Sequence, residues 1–380
     1  MNLFSLTQDQ IRTELDDKEK LAWLRLIRTD NVGPITFYNL IDTYKTATKA
    51  LEALPHLSKR GGRLKDIAIF SESDALKEID AVQRIGGEIL YAAEESYPLS
   101  LAAIDDAPPV ITIVGNKKLL NLPSIGIVGA RNASLNGCKF AEKMARDLGA
   151  EKFMVTSGLA RGIDTAAHKG ALESGTIAAV AGGADIIYPH ENAKLYEQIK
   201  QEGCIVAESP IGMEPLARHF PKRNRIISGL SSGVVVIEAT LKSGSLITAR
   251  MAAEQGRDVY AVPGHPFDPR AAGPNKLLQD GAGIVLSAED IIKNTQSFKN
   301  HDMGLNEPVQ SGWSPQIPDD DVTDETRTFI LQNISTTAVT VDELVRNCHL
   351  TIPAVQMVLL ELELAGRIQR LAGNKIVLIN

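Results

Sequence analysis

The sequence has little cysteine and no long apolar run. Its three cysteines, Cys138, Cys204 and Cys348, are scattered over 380 residues with no CxxC pair and no Cys/His cluster. This fits a reducing compartment and leaves no zinc-ligand spacing, so no metal is expected. No apolar stretch approaches the roughly 18 residues that a membrane-spanning helix needs. The opening MNLFSLTQDQIRTELDD lacks the apolar segment of a signal peptide and carries acids early, so a cytoplasmic protein is expected. Internal repeats and low-complexity tracts are also missing. So are the nucleotide fingerprints: GARNAS follows the first parallel strand where GxGxxG would stand, and neither GxxxxGK[ST] nor HExxH occurs. A dinucleotide cofactor, P-loop hydrolysis and zinc-peptidase chemistry are thereby excluded, and no cofactor is expected.

What is present is an ordinary globular composition, 44% hydrophobic and 23% charged, with a net charge of −7. At this length two or three domains are expected. Whole-chain acidity argues against a uniformly basic DNA coat. It leaves room for a local electropositive site, because the field depends on nearby charge. One stretch has that character. FPKRNRIISG (Phe220–Gly229) gathers Lys222, Arg223 and Arg225 around Asn224, and no carboxylate occurs between Glu214 and Glu238.

Along the chain, DKEKLAWLRLIRT repeats apolar residues at helical spacing, NVGP breaks it, and ITFYNLIDTY begins a second helix. The hairpin reads as a small helical packing module, with backbone contact to nucleic acid as the alternative. DDAPPVITIVGN marks a boundary. From Ser124, apolar strands (SIGIVGAR, KFMVTSG, TIAAVAGG, CIVAESP, GVVVIEA, DVYAVPG) alternate with helices, the pattern of a parallel sheet covered on both faces. Residues 296–321 lose pattern and read as a linker. Three helices and a terminal hairpin then suggest a winged helix. The expected fold is α/β: a central Rossmann-type doubly wound parallel sheet (111–295), an N-terminal helical, sterile-alpha-motif-like domain (1–110) and a C-terminal winged-helix domain (322–380).

Ligands of open parallel sheets bind outside the carboxyl ends of the strands. There the sequence places Gly129-Ala130-Arg131, then Ser157-Gly158-Leu159-Ala160-Arg161-Gly162-Ile163-Asp164, and beyond Glu238 the turn Lys242-Ser243-Gly244-Ser245. Small residues let backbone N–H groups approach an anion, and Arg131 and Arg161 add full charge. A catalytic site is hard to assemble. Asp164 and His168 share a helix face, but a turn-forming acid and a packed imidazole are the simpler reading. Glu238 holds an arginine or backbone amides, and His265 in PGHPFDP is structural. A helix entered at Pro221 buries Ile226, Ile227 and Leu230 and leaves cations at its mouth. Cations there oppose the macrodipole, which a bound anion would relieve. Phe220 could stack on a base or pack in the core.

The runs GIVGARNAS, SGLARGIDTAAHKGAL, VAGGADIIYPHEN, FPKRNRIISGLS and VVVIEATLKSGSLITARMAAEQGRDVYAVPG closely resemble the DNA-processing protein A (DprA/Smf) family, over roughly Leu120 to Asn294. The resemblance implies a non-enzymatic single-stranded DNA-binding protein of natural transformation. Such a protein shields incoming strands, loads a RecA-type recombinase and acts as a homodimer; a single-strand DNA-binding protein is a further candidate partner. Carried over by motif, Arg131 and Lys222-Arg223-Asn224-Arg225 line the positive pocket. Ser157, Gly158 and Gly162 with Asp164 shape the adjoining loop, and Ser243, Gly244 and Ser245 contribute amides and hydroxyls. Two alternatives stand beside it, a nucleotide-sensing module and a lysine-decarboxylase-like phosphoribohydrolase. The second would carry PGGxGTxxE, where this chain has SGSLITAR. The winged helix departs from a DNA reader: TIPAVQMVLLELELAG has Glu361 and Glu363, and no Lys or Arg lies between Arg346 and Arg367. A protein contact or self-association is expected of it.

Overall fold

The computed structural model describes residues 14–63, 65–301, 322–348, 350–371 and 375–379, those from 296 to 301 by backbone alone. Helices α1 (Asp17–Arg28), α2 (Pro34–Tyr44) and α3 (Ala47–Arg60) open the chain. Asp16 caps α1 by accepting the Glu19 amide at 2.7 Å. Gly33 and Pro34 start α2, because proline at a first helical position loses no hydrogen bond. Trp23 and Phe37 meet edge to face at 4.8 Å and join the two arms of the hairpin.

Next come α4 (Glu72–Arg84), β1 (Gly87–Tyr91), α5 (Leu99–Ala102), β2 (Val110–Gly115), β3 (Ser124–Val128), α6 (Leu135–Ala150), β4 (Met154–Ser157), α7 (Ile163–Ala171), β5 (Thr176–Val180), α8 (Ala193–Glu202), β6 (Cys204–Ala207), α9 (His219–Leu230), β7 (Gly233–Val236), α10 (Ser245–Glu254), β8 (Asp258–Ala261), α11 (Ala272–Gln279), β9 (Gly283–Ile284) and α12 (Ala288–His301). The sheet order is β1-β2-β6-β5-β4-β3-β7-β8-β9. Strands β3 to β9 run parallel, and β1 and β2 close one edge antiparallel. The doubly wound fold is therefore present, with one difference. β1 falls within the segment read as N-terminal and helical, yet extends the sheet. Its GEILY sequence carries only a short half-buried pattern that helix periodicity nearby obscures.

The chain winds outward from β3 through β4 and β5 to β6, then returns through α9 to place β7 on the other side of β3. One face of the sheet packs α6, α7 and α12 around Ile125, Ile127, Val155, Val235 and Ile237. The other carries α9 and α10, which also pack together. These strands are buried at every position from β3 to β7, so alternation is absent and continuous apolar runs result. α12 continues to His301, into the stretch read as linker. The rest of that linker lies outside the described residues.

A second sheet, β10-β12-β11, belongs to the C-terminal region: α13 (Asp324–Gln332), β10 (Val339–Thr340), α14 (Val341–Cys348), α15 (Ile352–Leu364), β11 (Ile368–Leu371) and β12 (Lys375–Leu378). Its core of Ile330, Leu344, Val355, Val358, Leu359, Leu362, Ile368 and Ile376 is that of a winged helix. The chain divides into two compact units: residues 76 to 301 form one, and residues 15–75 together with those described from 322 onward form the other. Among the described residues no helix is long and apolar enough to cross a membrane, and no His/Cys/Asp/Glu group could hold a metal.

Candidate nucleic-acid interface

β3, β4, β5, β6 and β7 point their carboxyl ends to one edge, where the chain reverses its winding between β3 and β7. Two turns meet there. Gly162, at φ +75°, brings the 157–163 turn against 129–131; a Cβ on it would lie 2.2 Å from the Ala130 carbonyl oxygen. The Ile163 amide donates to that carbonyl at 3.3 Å. Only glycine serves at such a position, because both φ and space forbid a side chain.

Asp164 and His168 stabilise the 157–160 segment from beneath. The buried Asp164 carboxylate accepts the Gly158 amide at 3.2 Å and the Ala160 amide at 3.4 Å. His168, fully buried, accepts the Leu159 amide through Nε2 at 3.2 Å, while Nδ1 meets Thr176 Oγ1 at 2.8 Å. Burial, with the nearby Arg223 charge, pulls the imidazole pKa down to about 3, so it stays neutral. Ser157 faces inward, donating to the Ile127 carbonyl at 2.6 Å. These are architectural groups, as the simpler reading of the sequence holds.

Arg223 rises from α9 into this edge and is 6% exposed. Its Nη1 donates to the Gly158 carbonyl and, at 2.7 Å, to the Ala179 carbonyl. Gly158 leaves the room the guanidinium fills: a Cβ there would stand 2.1 Å from Nη1. Burial pushes the Arg223 pKa down to about 10 and pushes that of Asp164 up, and each charge opposes the shift of the other. Arg223 therefore remains cationic at neutral pH, and its Nε has no partner.

Above it lies Phe220. The Arg131 guanidinium sits 5.0 Å from the ring centroid and that of Arg223 5.9 Å, and the half-exposed Tyr188 ring packs at 5.6 Å. A shallow pocket beside them is lined by Gly158, Ala160, Gly182, Tyr188, Pro215 and Phe220. Arg131 and Lys222 are exposed, and among the described residues neither forms a salt bridge, although the Arg131 charge acts on the buried Asp164. α9 begins at His219, two residues before Pro221, with no side-chain cap and no acid in its first turn. Burial, then the Arg218 and Lys222 charges, hold the His219 pKa below its ordinary value. The geometry offers two exposed cations and an aromatic face, which suit a phosphodiester and a base.

The remaining expected residues divide. Asn224 donates to the Gly244 carbonyl at 3.3 Å and so ties α9 to the 243–245 turn, where the Ser243 and Ser245 hydroxyls bond each other at 2.7 Å. Those hydroxyls hold the turn at the start of α10. Ala130 and Arg131 supply the carbonyl side of the Gly162 contact, Gly129 leaves room for the Ile163 side chain, and Arg161 forms an exposed ion pair with Glu191. Arg225 corrects the expectation that the cationic stretch acts as one. It is 5% exposed, bonds Glu208 at 2.5 Å and the Asp106 carbonyl at 2.6 Å, and so spends its charge inside the protein. The acids missing near it in sequence arrive from β6 and from the segment before β2. Glu238 accepts the Ser134 amide at 2.8 Å, as the amide-holding reading expects. GLSSG at 229–233 has the lettering of a GxSxG elbow, but Ser231 is buried at the end of a helix and donates to the Ile227 carbonyl at 2.7 Å. Tyr188 is the residue that the sequence reading missed; one aromatic before a proline gives no periodic signal.

A model of the family described as DNA recombination-mediator protein A matches residues 88–296. The chain belongs to that family. Its ends match the DprA-like N-terminal HHH domain over 17–81 and the DprA winged helix domain over 314–374. The family's protein Smf of Escherichia coli K12 is 38% identical over 296 residues, 75% of this chain and 76% of that protein. DNA processing protein DprA of Streptococcus pneumoniae R6 is 44% identical over 201 residues, 52% of this chain and 71% of that one. The X-ray structure of DprA from S. pneumoniae aligns with a TM-score of 0.63 at 34% identity, covering 72% of this chain and 96% of that one. A structure of DNA processing protein A from Helicobacter pylori, described as giving insight into its unique single-stranded DNA binding mode, aligns at TM-score 0.52 and 29% identity, over 56% of this chain and 96% of that one.

Proposed function

We propose that this DprA-family protein binds single-stranded DNA at the carboxyl edge of its sheet, and hands the strand to a RecA-type recombinase without catalysing a reaction. The observation that carries the reading is the Arg131–Phe220–Arg223 stack beside Lys222, in which Arg131 and Lys222 form no salt bridge among the described residues. Phosphates meet Arg131 and Lys222, and a base stacks on the exposed face of Phe220 or Tyr188. Such stacking tolerates any base, since every base has a π-face. The relative from H. pylori, described by its single-stranded DNA binding mode, supports the same reading. Shielding of incoming strands in transformation and action as a homodimer belong to the same proposal. The phosphoribohydrolase alternative loses support because Glu238, the acid nearest the relevant turn, is engaged by the Ser134 amide and hydroxyl. The test is binding of a fluorescent oligo-dT to wild type and to Arg131→Ala/Phe220→Ala, followed by recombinase filament growth on strands coated with single-strand DNA-binding protein. Loss of binding and of stimulated filament growth is expected. Full binding by the double variant would move the site elsewhere, and release of free base from nucleotide monophosphates would restore the enzyme reading.

A further inference from the structure

Two parts of this chain have the shape of DNA-binding motifs, and within their common unit the N-terminal helices pack over the end of α15. In a DNA-reading winged helix the helix equivalent to α15 enters the major groove. Here Val355, Val358, Leu359 and Leu362 fill the winged-helix core, yet Leu360, Glu361 and Leu364 outside that core are also buried. The N-terminal helices cover them. Gly61, at the end of α3, rests on the α15 backbone: a Cβ there would stand 2.0 Å from the Glu361 carbonyl oxygen and 2.9 Å from the Ala365 Cβ. The Leu364 carbonyl, in the last turn of α15, has no helical donor of its own. Asn31 Nδ2, from the α1–α2 turn, and Arg63 Nη1 both donate to it, each at 3.3 Å. The Glu361 carboxylate, 1% exposed, lies between Arg60 Nε at 3.0 Å and Arg327 Nε at 2.7 Å, one arginine from each end of the chain.

We propose that the protein partner of the winged helix is the N-terminal helical hairpin of the same chain. The pair is a masked module in which the hairpin closes the C-terminal half of α15, Leu360 to Leu364, to duplex DNA. The contact explains why α15 is apolar nearly all round and carries a glutamate where a reader carries cations. It also explains a turn whose asparagine caps a helix instead of a phosphate. This inference does not depend on what the sheet edge binds.

Cys348 reports on the module because it is buried in the winged-helix core, 6% exposed. Thiol labelling of Cys348 in the full chain, resolved by mass spectrometry, measures opening of that core. Gly61→Leu, a wedge in the other domain, is expected to raise the labelling rate at least tenfold and leave oligo-dT affinity unchanged. Arg60→Ala and Glu361→Gln are expected to be non-additive by at least fivefold in a double-variant cycle. Excess 30-bp duplex is expected to leave wild-type labelling unchanged. The proposal is overturned if the wedge leaves Cys348 as slow as in wild type, if the two substitutions are additive, or if duplex accelerates labelling.

Discussion

The basic stretch at 222–225 can be separated experimentally into charges that hold DNA and a charge that holds the protein. Lys222 and Arg131 are exposed and form no salt bridge among the described residues, so each should neutralise one phosphate of a bound strand. For single strands each such contact contributes about −0.7 to the slope of log K against log salt. Arg131→Ala/Lys222→Ala should therefore flatten the slope by about 1.4, which is about sevenfold in affinity across a fourfold rise in salt. Its thermal midpoint should stay near wild type, because no hydrogen bond between described residues is lost.

Arg225→Ala should do the reverse. It takes the Arg225 guanidinium away from the Glu208 carboxylate, whose side chain is 21% exposed, and opens a hole beside the Asp106 carbonyl. Breaking a buried ion pair costs about 3–5 kcal/mol, and the partial exposure of Glu208 places this case near about 3 kcal/mol. The salt slope should not change. Fluorescence anisotropy of labelled oligo-dT over a salt series, with urea unfolding of each variant, reads both quantities. A folded Arg225→Ala protein with a slope flatter by about 0.7 would refute the division of charges, as would an unchanged slope in the Arg131/Lys222 variant.

Three further outcomes are expected. Phe220→Ala should weaken oligo-dT binding by about 1–3 kcal/mol while Phe220→Trp retains it, read by the same titration; equal affinity for all three would remove stacking from the site. Gly162→Ala should destabilise the sheet unit by about 3 kcal/mol in urea unfolding and lower affinity through the displaced Arg131 turn, since strain at φ +75° adds to the clash with the Ala130 carbonyl. His168 is held neutral down to about pH 3 in the fold but takes a proton near its ordinary value of 6.5 when unfolded, so it binds more protons unfolded across that window and stability falls as pH drops below 6.5. Relative to His168→Gln, wild type should lose up to about 1.4 kcal/mol per pH unit there; identical pH profiles would show that the imidazole is protonated in the fold.

The legible parts of this protein are those in which one residue type repeats at one spacing. The strands from β3 to β7 are buried on both faces, so they read as apolar runs, and the winding of the sheet follows from their alternation with helices. β1 was obscure because GEILY is a short edge strand that β2 alone supports. Gly162 and Gly158 were visible as small residues in a turn. Their separate tasks, one admitting a backbone contact and the other a guanidinium, depend on residues 130 and 223, which the sequence does not place beside them. The cover of α15 was half legible: its lack of cations argued against DNA, but nothing in a linear reading joins Gly61 to Glu361.

The cationic stretch shows why adjacency misleads. On a helix successive residues turn by about 100°. Arg223 and Arg225 therefore point about 200° apart, to nearly opposite sides of α9. One reaches the strand ends at Gly158 and Ala179, and the other reaches Glu208 and Asp106. Lys222 takes the remaining direction, into solvent. Three neighbouring cations thus become a structural anchor, a buried charge under an aromatic ring and a free surface charge. An acidic protein needs few free cations to build an anion site if they are placed together, because the field at the site follows the nearest charges. Here Arg131 comes from the turn after β3, Lys222 from α9 and the buried charge of Arg223 lies beneath them, around one phenylalanine. The acids that make the whole chain negative are spent elsewhere, several of them on arginines, such as Glu208 on Arg225 and Glu361 on Arg60 and Arg327, that would otherwise compete for the same ligand.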